Sequence, residues 1–348
     1  MSGNMGAMGT AGWSLSASAF DLALEEPFSI ATETWEVARN VFVTVRFGEH
    51  EGVGESSPDD RWGETPESAI GALEAVDLSR LGGPFDLHGI GDLLPAGAAR
   101  SALDIAMHDL AARIAGVSVQ ELLGCGGRPL PPTSVTVPIA DEDTMVGRAK
   151  ALRDHPVLKV KVGFEGDVAL IGSIRKVYGG ALTVDANEGW SAEEAIDRLK
   201  ALEPLDIRLC EQPVPAGDLD SLGRVTGATS IPVYADEDAS TSEDVARLAR
   251  ARAVDGVNVK LRKAGGLREA ARAIAVARAH GLGVMLGCDL ESGIAATAEA
   301  SLAALVDHAD LDGPLLLADD PFPGVTYGRG TMTLPPGPGL GVRGAPHG

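Results

Sequence analysis

Charged residues recur at a nearly constant spacing in the second half of this chain, each at the end of a short apolar run. Successive members lie about 25 positions apart, the length that one strand, one helix and two turns take in a (β/α) barrel. They are Lys161, Asp185, Glu211, Asp236 and Lys260. The period predicts that five ionisable groups occupy equivalent positions on five successive strands of a TIM-type barrel, at the strand ends that carry the chemistry of such barrels.

The surrounding pattern predicts the extent of this barrel. Eight short apolar segments between residues 134 and 311 alternate with helical patterns, which favours a parallel sheet closed into a ring. We predict a barrel domain over residues 129–320. Residues 321–348, rich in proline and glycine, are predicted to leave the barrel and return to the first module.

The first module, residues 1–128, has a different texture. Strand patterns at 13–24 and 40–47 fit two antiparallel strands, and helical patterns follow at 65–78 and 98–115. This order is typical of an α+β domain.

The composition excludes several classes of partner. The chain carries 29 lysines and arginines against 50 aspartates and glutamates, a net charge of −21, so we expect no nucleic-acid partner. No stretch reaches the roughly 18 apolar residues of a membrane span, and the start lacks a signal-peptide pattern. We expect a cytoplasmic homo-oligomer that acts on a small molecule, with no membrane partner. Three scattered cysteines, Cys125, Cys210 and Cys288, are expected to be reduced, buried thiols.

Two lysines lie two residues apart in the segment LKVKVG. Residues at this spacing point to one face of a strand, so Lys159 and Lys161 are predicted to face the barrel interior. Two crowded ammonium groups disfavour each other's protonation, which lowers a lysine pKa towards the range of a general base. The alternative interpretation, a pair of surface lysines, is disfavoured by the periodic setting.

Three carboxylates end the next three predicted strands, in VDANEGW, CEQPV and YADED. Asp185, Glu211 and Asp236 would repel each other on one rim unless a hard divalent cation lay between them, and oxygen ligands suit Mg²⁺. Any one of these acids alone is more often a helix N-cap or a solvated side chain. The three together favour the metal site.

Lys260 ends the sixth predicted strand, in VNVKLRKAGG. Strands two and six are opposite each other in an eight-stranded ring, so Lys161 and Lys260 would face each other across the cavity. This layout suits removal of a proton from one face of a carbon and its return to the other face. Lys263 lies past the strand end and is interpreted as a surface residue.

Further acids follow the last two strands. Asp310 and Asp312, in DLDG, share a strand face too far round the ring to share the metal, and as a pair they suit a cationic substrate group such as an α-ammonium. A solvated turn with a capping aspartate is the alternative. Asp289 and Glu291 lie at the seventh strand end as further candidates, although Glu291 is equally suited to cap the following helix.

These residues closely resemble the enolase superfamily, in particular its muconate-lactonising-like subgroup and, within it, the dipeptide epimerases. The resemblance runs over nearly the whole chain. It rests on EEPFSIATETW, GVGESSP, ALDIAMHDLAAR, LKVKVG, VDANEGW, CEQP, ADED, VNVKLRKAGG, GCDLES and DLDG. The fold that it implies is an α+β capping domain, built from the N-terminal module and the C-terminal tail, over a modified (β/α)₇β barrel.

The resemblance also implies roles for individual residues. Asp185, Glu211 and Asp236 would bind one Mg²⁺ per subunit, and Lys161 and Lys260 would be the two acid/base lysines. The other implied positions are Lys159 at the substrate carboxylate, Thr136 in contact with substrate, Asn187 and Glu237 in the surrounding polar shell, and Asp310 and Asp312 at the substrate's free amino group. Asn187 and Asp289 are also predicted to contribute to substrate binding.

The activity that follows is a Mg²⁺-dependent inversion of the C-terminal α-carbon in an L-Ala-Xaa dipeptide, by two-base 1,1-proton transfer through an enediolate. The same lysines and metal also fit o-succinylbenzoate synthase, N-acylamino acid racemase or muconate cycloisomerase. Asp310 and Asp312 favour a substrate with a free amine over the substrates of these alternative enzymes. A catalytically silent binding protein would have lost a lysine or a metal ligand, and none is missing.

Two cap loops, residues 22–34 and 58–65, are expected to cover the site and contact the variable side chain. Glu25 and Glu26 in the first would repel a glutamate side chain, whereas Arg61 in the second would bind one. The identity of the dipeptide therefore stays open.

Overall fold

The N-terminal module is a three-stranded antiparallel sheet with helices packed against it. The computed structural model describes residues 12–342, so the outer ends of the predicted cap and tail, residues 1–11 and 343–348, lie outside the described residues. The strands pair in the order β1-β2-β3. The elements of this module are β1 (Trp13–Ser29), β2 (Thr34–Phe47), β3 (His50–Ser56), α1 (Pro66–Glu74), α2 (Ile90–Leu93), α3 (Ala98–Ala115) and α4 (Val119–Leu122).

The sheet has one strand more than the two that the sequence predicted. Strand β3 follows a turn at Gly48 and pairs with β2 along its whole length. Its sequence lacks clear apolar alternation because α3 packs directly on two of its glycines. A Cβ at Gly52 would lie 2.2 Å from the carbonyl oxygen of Ala106, and one at Gly54 would lie 2.0 Å from that of Ala102. The two glycines that make β3 difficult to predict from the sequence are thus the same residues that allow α3 to pack closely on β3.

The second module is a ring of eight parallel strands. Each strand is hydrogen-bonded to the next in chain order, and a bridge between Thr133 and Ala309 joins the beginning of the ring to its last strand. After that strand the described chain forms a 3₁₀ turn over Gly313–Leu316 instead of an α-helix, so the predicted (β/α)₇β architecture is confirmed. The elements are β4 (Val135–Val137), α5 (Glu142–Ala151), β5 (Val157–Lys161), α6 (Asp167–Val177), β6 (Ala181–Asp185), α7 (Ala192–Leu202), β7 (Ile207–Glu211), α8 (Leu219–Thr226), β8 (Val233–Ala235), α9 (Ser242–Ala251), β9 (Gly256–Val259), α10 (Leu261–Ala264), α11 (Leu267–Ala279), β10 (Gly283–Gly287), α12 (Gly293–Leu302) and β11 (His308–Asp310).

Strand alternation directs polar side chains into the ring. In β5, Leu158 and Val160 belong to the main hydrophobic core, whereas the alternate residues Lys159 and Lys161 line the cavity described below. Helices between the strands begin at good N-caps, for example the capping box of Ser191 with Glu194 before α7. The local sequence signals and the burial of side chains in the fold therefore agree on where these strands and helices lie.

A buried carboxylate ties the C-terminal segment to the cap. This segment forms a hairpin of β12 (Thr326–Gly328) and β13 (Thr331–Thr333) and then runs to the cap. Asp109 of α3 accepts hydrogen bonds from the amides of Val53 and Leu340, at 2.9 and 2.7 Å, and from Arg113 Nε at 2.9 Å. One fully buried side chain thus joins β3, α3 and the C-terminal segment.

A second buried carboxylate joins the cap to the barrel. Glu55, in β3, accepts hydrogen bonds from Asn40 and from the amides of Ser292 and Ala295 at the start of α12. Ser292, not Glu291, is the N-cap of α12. The suggested capping role of Glu291 is therefore wrong, because a residue of the cap and Ser292 satisfy the first amides of this helix.

From the sequence we expected neither membrane-spanning helices nor disulfide bonds. Among residues 12–342, no helix is long and apolar enough to cross a membrane. All three cysteines are free thiols. Cys125 and Cys210 are buried as predicted, but Cys288 is only partly buried because it lies in the cavity wall.

Replacing Asp109 by asparagine is expected to lower the free energy of unfolding by about 2 to 3 kcal/mol, because a side-chain NH₂ would then face buried donors. Urea denaturation followed by circular dichroism measures the change. Asp92→Asn, at an exposed position of α2, is the matched control and should change stability by less than about 0.5 kcal/mol. Equal stabilities for the two variants would contradict the role assigned to Asp109.

Candidate active site

A cavity of about 360 Å³ lies where the cap covers the carboxyl ends of the barrel strands. Both predicted cap loops line it, the first through Phe28 and Ile30 and the second through Arg61 and Trp62. Its volume suits a small molecule of dipeptide size. The cap contributes both apolar and charged residues to the wall, and the polar residues from the barrel are Thr136, Lys159, Lys161, Asn187, Asp236, Glu237, Lys260, Arg262, Lys263, Asp289, Asp310 and Asp312.

Lys159 lies among three carboxylates. Its ammonium nitrogen is 2.7 Å from Asp310, 2.9 Å from Glu211 and 3.0 Å from Asp185. Burial alone would lower the pKa of Lys159, but the charges of Asp185, Asp310 and Glu211 raise that pKa well above its usual value. The predicted lowering of a lysine pKa by the neighbouring ammonium group is therefore wrong for Lys159, because three anions outweigh one cation.

The three predicted metal ligands end consecutive strands and are all buried. Asp185 ends β6, Glu211 ends β7 and Asp236 follows β8. Burial and the charge of Asp185 raise the pKa of Glu211 to about 7. Burial also acts to raise the pKa of Asp185, but Lys159 and Lys161 lower it to about 2. These three carboxylates, hereafter the acidic trio, can all ionise only with cations close by.

The donor chemistry of the acidic trio fits Mg²⁺. All of its donors are carboxylate oxygens, which a hard cation prefers. Oε2 of Glu211 is buried and accepts no hydrogen bond, although the nitrogen of Lys159 lies 2.9 Å away. Among residues 12–342, no three histidine, cysteine or acidic side chains already surround a common point as metal ligands. A metal ion at the trio would therefore replace contacts that ammonium groups now make.

Lys161 ends β5 and Lys260 directly follows β9, so the two lysines lie four strands apart in the ring of eight. The nitrogen of Lys161 donates to Asp185 at 2.7 Å and to Oδ1 of Asn187 at 3.0 Å. The nitrogen of Lys260 lies 3.2 Å from Asp236 and 3.3 Å from Asp289. Each amine thus contacts a different end of the acidic trio.

Burial and neighbouring charges act in opposite directions on Lys260. Burial alone would lower the pKa of Lys260, whereas the carboxylates of Asp236 and Asp289 raise it well above its usual value. The same contacts act on Asp236: burial would raise its pKa, but Lys260 and Lys263 hold it well below its usual range. The two charged groups therefore hold each other ionised.

Lys263 is buried, so its interpretation as a surface residue is wrong. Its nitrogen donates to the carboxylate and to the backbone carbonyl of Asp236, and to the carbonyl of Asn258 at 3.2 Å. The chain turns into α10 directly after Lys260, which is the N-cap of that helix. Residues three apart share a helical face, so Lys263 returns over the strand end instead of pointing outward.

Asp310 and Asp312 also lie inside the cavity wall. Asp310 bonds to Lys159 and accepts from the hydroxyl of Ser134, and Asp312 accepts from the amide of Thr136 at 2.6 Å. Burial and the charge of Asp310 raise the pKa of Asp312 to about 6. Lys159 contacts Asp310 and two members of the acidic trio at once, so it connects this pair to the acids of the predicted metal site.

Left-handed backbone conformations occur just after β6 and β7. Asn187, Glu188 and Gln212 have φ angles of 40, 66 and 30°. Residues other than glycine rarely adopt such angles, and they cluster where a site requires a particular side-chain direction. Here they aim Asn187 at Lys161 and, at 3.5 Å, at Glu237. Burial and the charge of Asp236 raise the pKa of Glu237 to about 8.

Two amides that the sequence analysis did not single out hold the acidic trio in place. Nδ2 of Asn258 donates to Oε1 of Glu211 at 2.7 Å, and Oε1 of Gln212 accepts from the amide of Asp236 at 3.0 Å. Asn258 precedes Lys260 by two residues, so strand alternation was a signal for its inward direction. The role of Gln212 depends on its left-handed φ, for which the sequence carries no comparable signal.

Carboxylates already pair with the arginines of the cavity wall. An additional anion from a substrate would have to compete with an existing ion pair at each of them. The pairs are Arg39 with Glu67, Arg61 with Glu188, and Arg262 with Asp289.

Glu25 and Glu26 of the first cap loop do not line the cavity, whereas Glu33 of the same loop does. Glu26 pairs with Arg148 of α5, and Glu25 is exposed. The expectation that they would repel a substrate side chain is therefore wrong. Apolar cap residues, including Phe28, Ile30 and Trp35, take their place in the wall.

Sequence comparison gives two domain matches. The mandelate racemase / muconate lactonizing enzyme N-terminal domain matches residues 16–124, and the enolase C-terminal domain-like family matches residues 144–346. An L-Ala-D/L-Glu epimerase from Bacteroides thetaiotaomicron is 36% identical over 330 residues, which cover 93% of this chain and 86% of that protein.

Two solved structures are similar over both modules. A substrate-liganded complex of the L-Ala-D/L-Glu epimerase from Bacillus subtilis matches with a TM-score of 0.90 and 33% identity, covering 95% of this chain and 98% of that one. A dipeptide epimerase from Cytophaga hutchinsonii, complexed with Mg and D-Ala-L-Val, matches with a TM-score of 0.88 and 32% identity, covering 94% and 95%. The similarity thus includes the cap as well as the barrel.

Adding Mg²⁺ is expected to raise the melting temperature of the protein, because a ligand that binds only the folded state stabilises it by mass action. Glu211→Gln should remove most of this rise, since one carboxylate donor is lost. Scanning fluorimetry with Mg²⁺ or with EDTA measures both. Glu243→Gln, at an exposed position of α9, is the control and should keep the full rise. An equal rise in Glu211→Gln would exclude the acidic trio as the metal site.

Proposed function

Because this chain belongs to the dipeptide epimerases of the enolase superfamily, we propose that it inverts the C-terminal α-carbon of an L-Ala-Xaa dipeptide by a two-base 1,1-proton transfer. The observation that supports this most strongly is the placement of two lysines four strands apart, on either side of the acidic trio. Lys161 contacts the trio at Asp185, and Lys260 contacts it at Asp236.

The proposed reaction assigns complementary tasks to the two amines. One lysine, as the neutral amine, takes the α-proton, and the electron pair of the broken C–H bond enters an enediolate. The other lysine, as the ammonium, donates a proton to the opposite face of the same carbon. Asn187 orients Lys161 through the hydrogen bond at 3.0 Å, and exchanging the two protonation states runs the reaction in reverse.

We also propose that Asp185, Glu211 and Asp236 hold one Mg²⁺ per subunit. When bound, the ion supplies positive charge beside the substrate carboxylate, where negative charge develops. Lys159, released from the trio, would then contact that carboxylate. Oε2 of Glu211 supports this assignment, because it is buried and accepts no hydrogen bond, with the ammonium nitrogen of Lys159 2.9 Å away.

Asp310 and Asp312 are proposed to bind the free amino group of the dipeptide. Both line the cavity and both are buried, and Asp310 already accepts a hydrogen bond from the ammonium group of Lys159. Thr136 supports this subsite through its amide bond to Asp312. A substrate without an amine, such as muconate or an N-acylamino acid, would bring no ammonium group to these acids. The cytoplasmic location and the homo-oligomeric state stay predictions.

Lys161→Ala and Lys260→Ala are each expected to lower epimerisation by about 10²- to 10⁴-fold, because each removes one of the two proton carriers. In D₂O with Mg²⁺ and a library of L,L-dipeptides, mass spectrometry follows epimerisation and NMR follows loss of the α-proton. Each variant should keep exchange from one epimer only, and the two variants should keep opposite epimers. Full epimerisation by either variant would remove the two-base mechanism. Turnover of an N-succinyl amino acid without exchange in any dipeptide would remove the dipeptide assignment.

The wall of the cavity predicts a preference for the second residue. L-Ala-L-Leu should react with a kcat/KM about tenfold or more above that of L-Ala-L-Glu, because a glutamate side chain must break an arginine–carboxylate pair and each factor of ten corresponds to about 1.4 kcal/mol. Steady-state kinetics of the two dipeptides measure the ratio. Glu188→Gln, which frees Arg61, should shift the ratio towards L-Ala-L-Glu. A wild-type preference for L-Ala-L-Glu would contradict this interpretation.

A further inference from the structure

Two consecutive ion pairs link Lys260 through Asp289 to Arg262, and Arg262 in turn contacts the cap. The carboxylate of Asp289 lies 3.3 Å from the nitrogen of Lys260 through Oδ1, and it accepts from Nε of Arg262 at 2.7 Å through Oδ2. Both oxygens of Asp289 are therefore engaged by cations of the protein. A carboxylate in this state is poorly placed to bind the substrate, which was its predicted role.

Arg262 is enclosed between the barrel and the second cap loop. Only 4% of its side chain is exposed. The ring of Trp62 lies 5.5 Å from the centre of its guanidinium group, and carboxylate oxygens of Asp59 and Glu64 lie 3.7 and 3.9 Å from its Nη atoms. A buried guanidinium held from several sides has little rotational freedom, so it fixes the position of Asp289.

The second lysine is held differently. Lys161 donates hydrogen bonds to Asp185 and Asn187. Both partners belong to the barrel, since Asp185 is the last residue of β6 and Asn187 lies two residues further on. The linkage from the cap through Arg262 and Asp289 therefore acts on one amine of the pair. Any change in this linkage should affect one direction of proton transfer more than the other.

We propose that Asp289 is a positioning residue that orients Lys260, and that Arg262 and the cap loop of Asp59, Trp62 and Glu64 hold it in place. This inference rests on the proposed epimerase function. The substrate subsites at Asp310, Asp312 and Lys159 lie outside the linkage. Loss of Asp289 should consequently slow proton removal by Lys260 without weakening substrate binding.

The test measures loss of the α-proton from each epimer of a reactive dipeptide separately, in D₂O with Mg²⁺. Lys260→Ala first identifies the epimer whose exchange depends on Lys260. Asp289→Asn should then lower kcat for exchange of that same epimer by about 10- to 100-fold, because small misplacements of a reacting group cost rates of this order. Exchange of the other epimer and both KM values should stay within about twofold. Asp289→Glu, which restores the charge, should recover part of the rate.

Matched variants separate positioning from folding. Asp220→Asn, exposed on α8, is the control and should leave both exchange rates unchanged. Trp62→Ala leaves Asp289 itself in place and should give a weaker loss with the same asymmetry, which keeps the test decisive if Asp289→Asn does not fold. Equal losses of kcat for both epimers, or a raised KM for both epimers in Asp289→Asn, would overturn the proposal. Absence of exchange in the wild-type protein would instead refute the epimerase function.

Discussion

Pairing of buried charges at the carboxyl end of the barrel is the constraint on which the rest of this structure depends. Five carboxylates and four lysines are in direct contact there inside a closed ring, and an unpaired charge in such a place costs several kcal/mol. The acids are Asp185, Glu211, Asp236, Asp289 and Asp310, and the lysines are Lys159, Lys161, Lys260 and Lys263. Because every lysine contacts at least one of these acids, each ammonium group has an anionic partner before any ligand enters.

The same pairing is compatible with the proposed reaction. In the proposed complex, Mg²⁺ at the acidic trio would take over the neutralisation that Lys159 provides, and a dipeptide would supply one carboxylate and one ammonium, which adds no net charge. The amines of Lys161 and Lys260 would then face the substrate from different sides. The cap completes the site in two ways, since its apolar residues close the cavity and its second loop holds Arg262 against the barrel.

Backbone geometry determined what could be predicted from the sequence. The period of about 25 residues and the alternation along strands are both repeats of the backbone, so they predicted the ring and the inward direction of Lys159 and Lys161. Contacts that depend on a local turn or on distant segments were not predictable in this way. Lys263 is buried because α10 begins at Lys260, and Glu55 bonds to Ser292, 237 residues further along the chain. The strand β3 was missed because the packing of α3 requires glycines in it.

A crystal structure of the Mg²⁺ complex with a bound dipeptide tests the central claim most directly. The account predicts one Mg²⁺ bound by Asp185, Glu211 and Asp236, with the nitrogen of Lys159 no longer between those carboxylates. It also predicts the nitrogens of Lys161 and Lys260 on opposite faces of the C-terminal α-carbon. A metal ion bound elsewhere, or both nitrogens on one face of that carbon, would contradict the account.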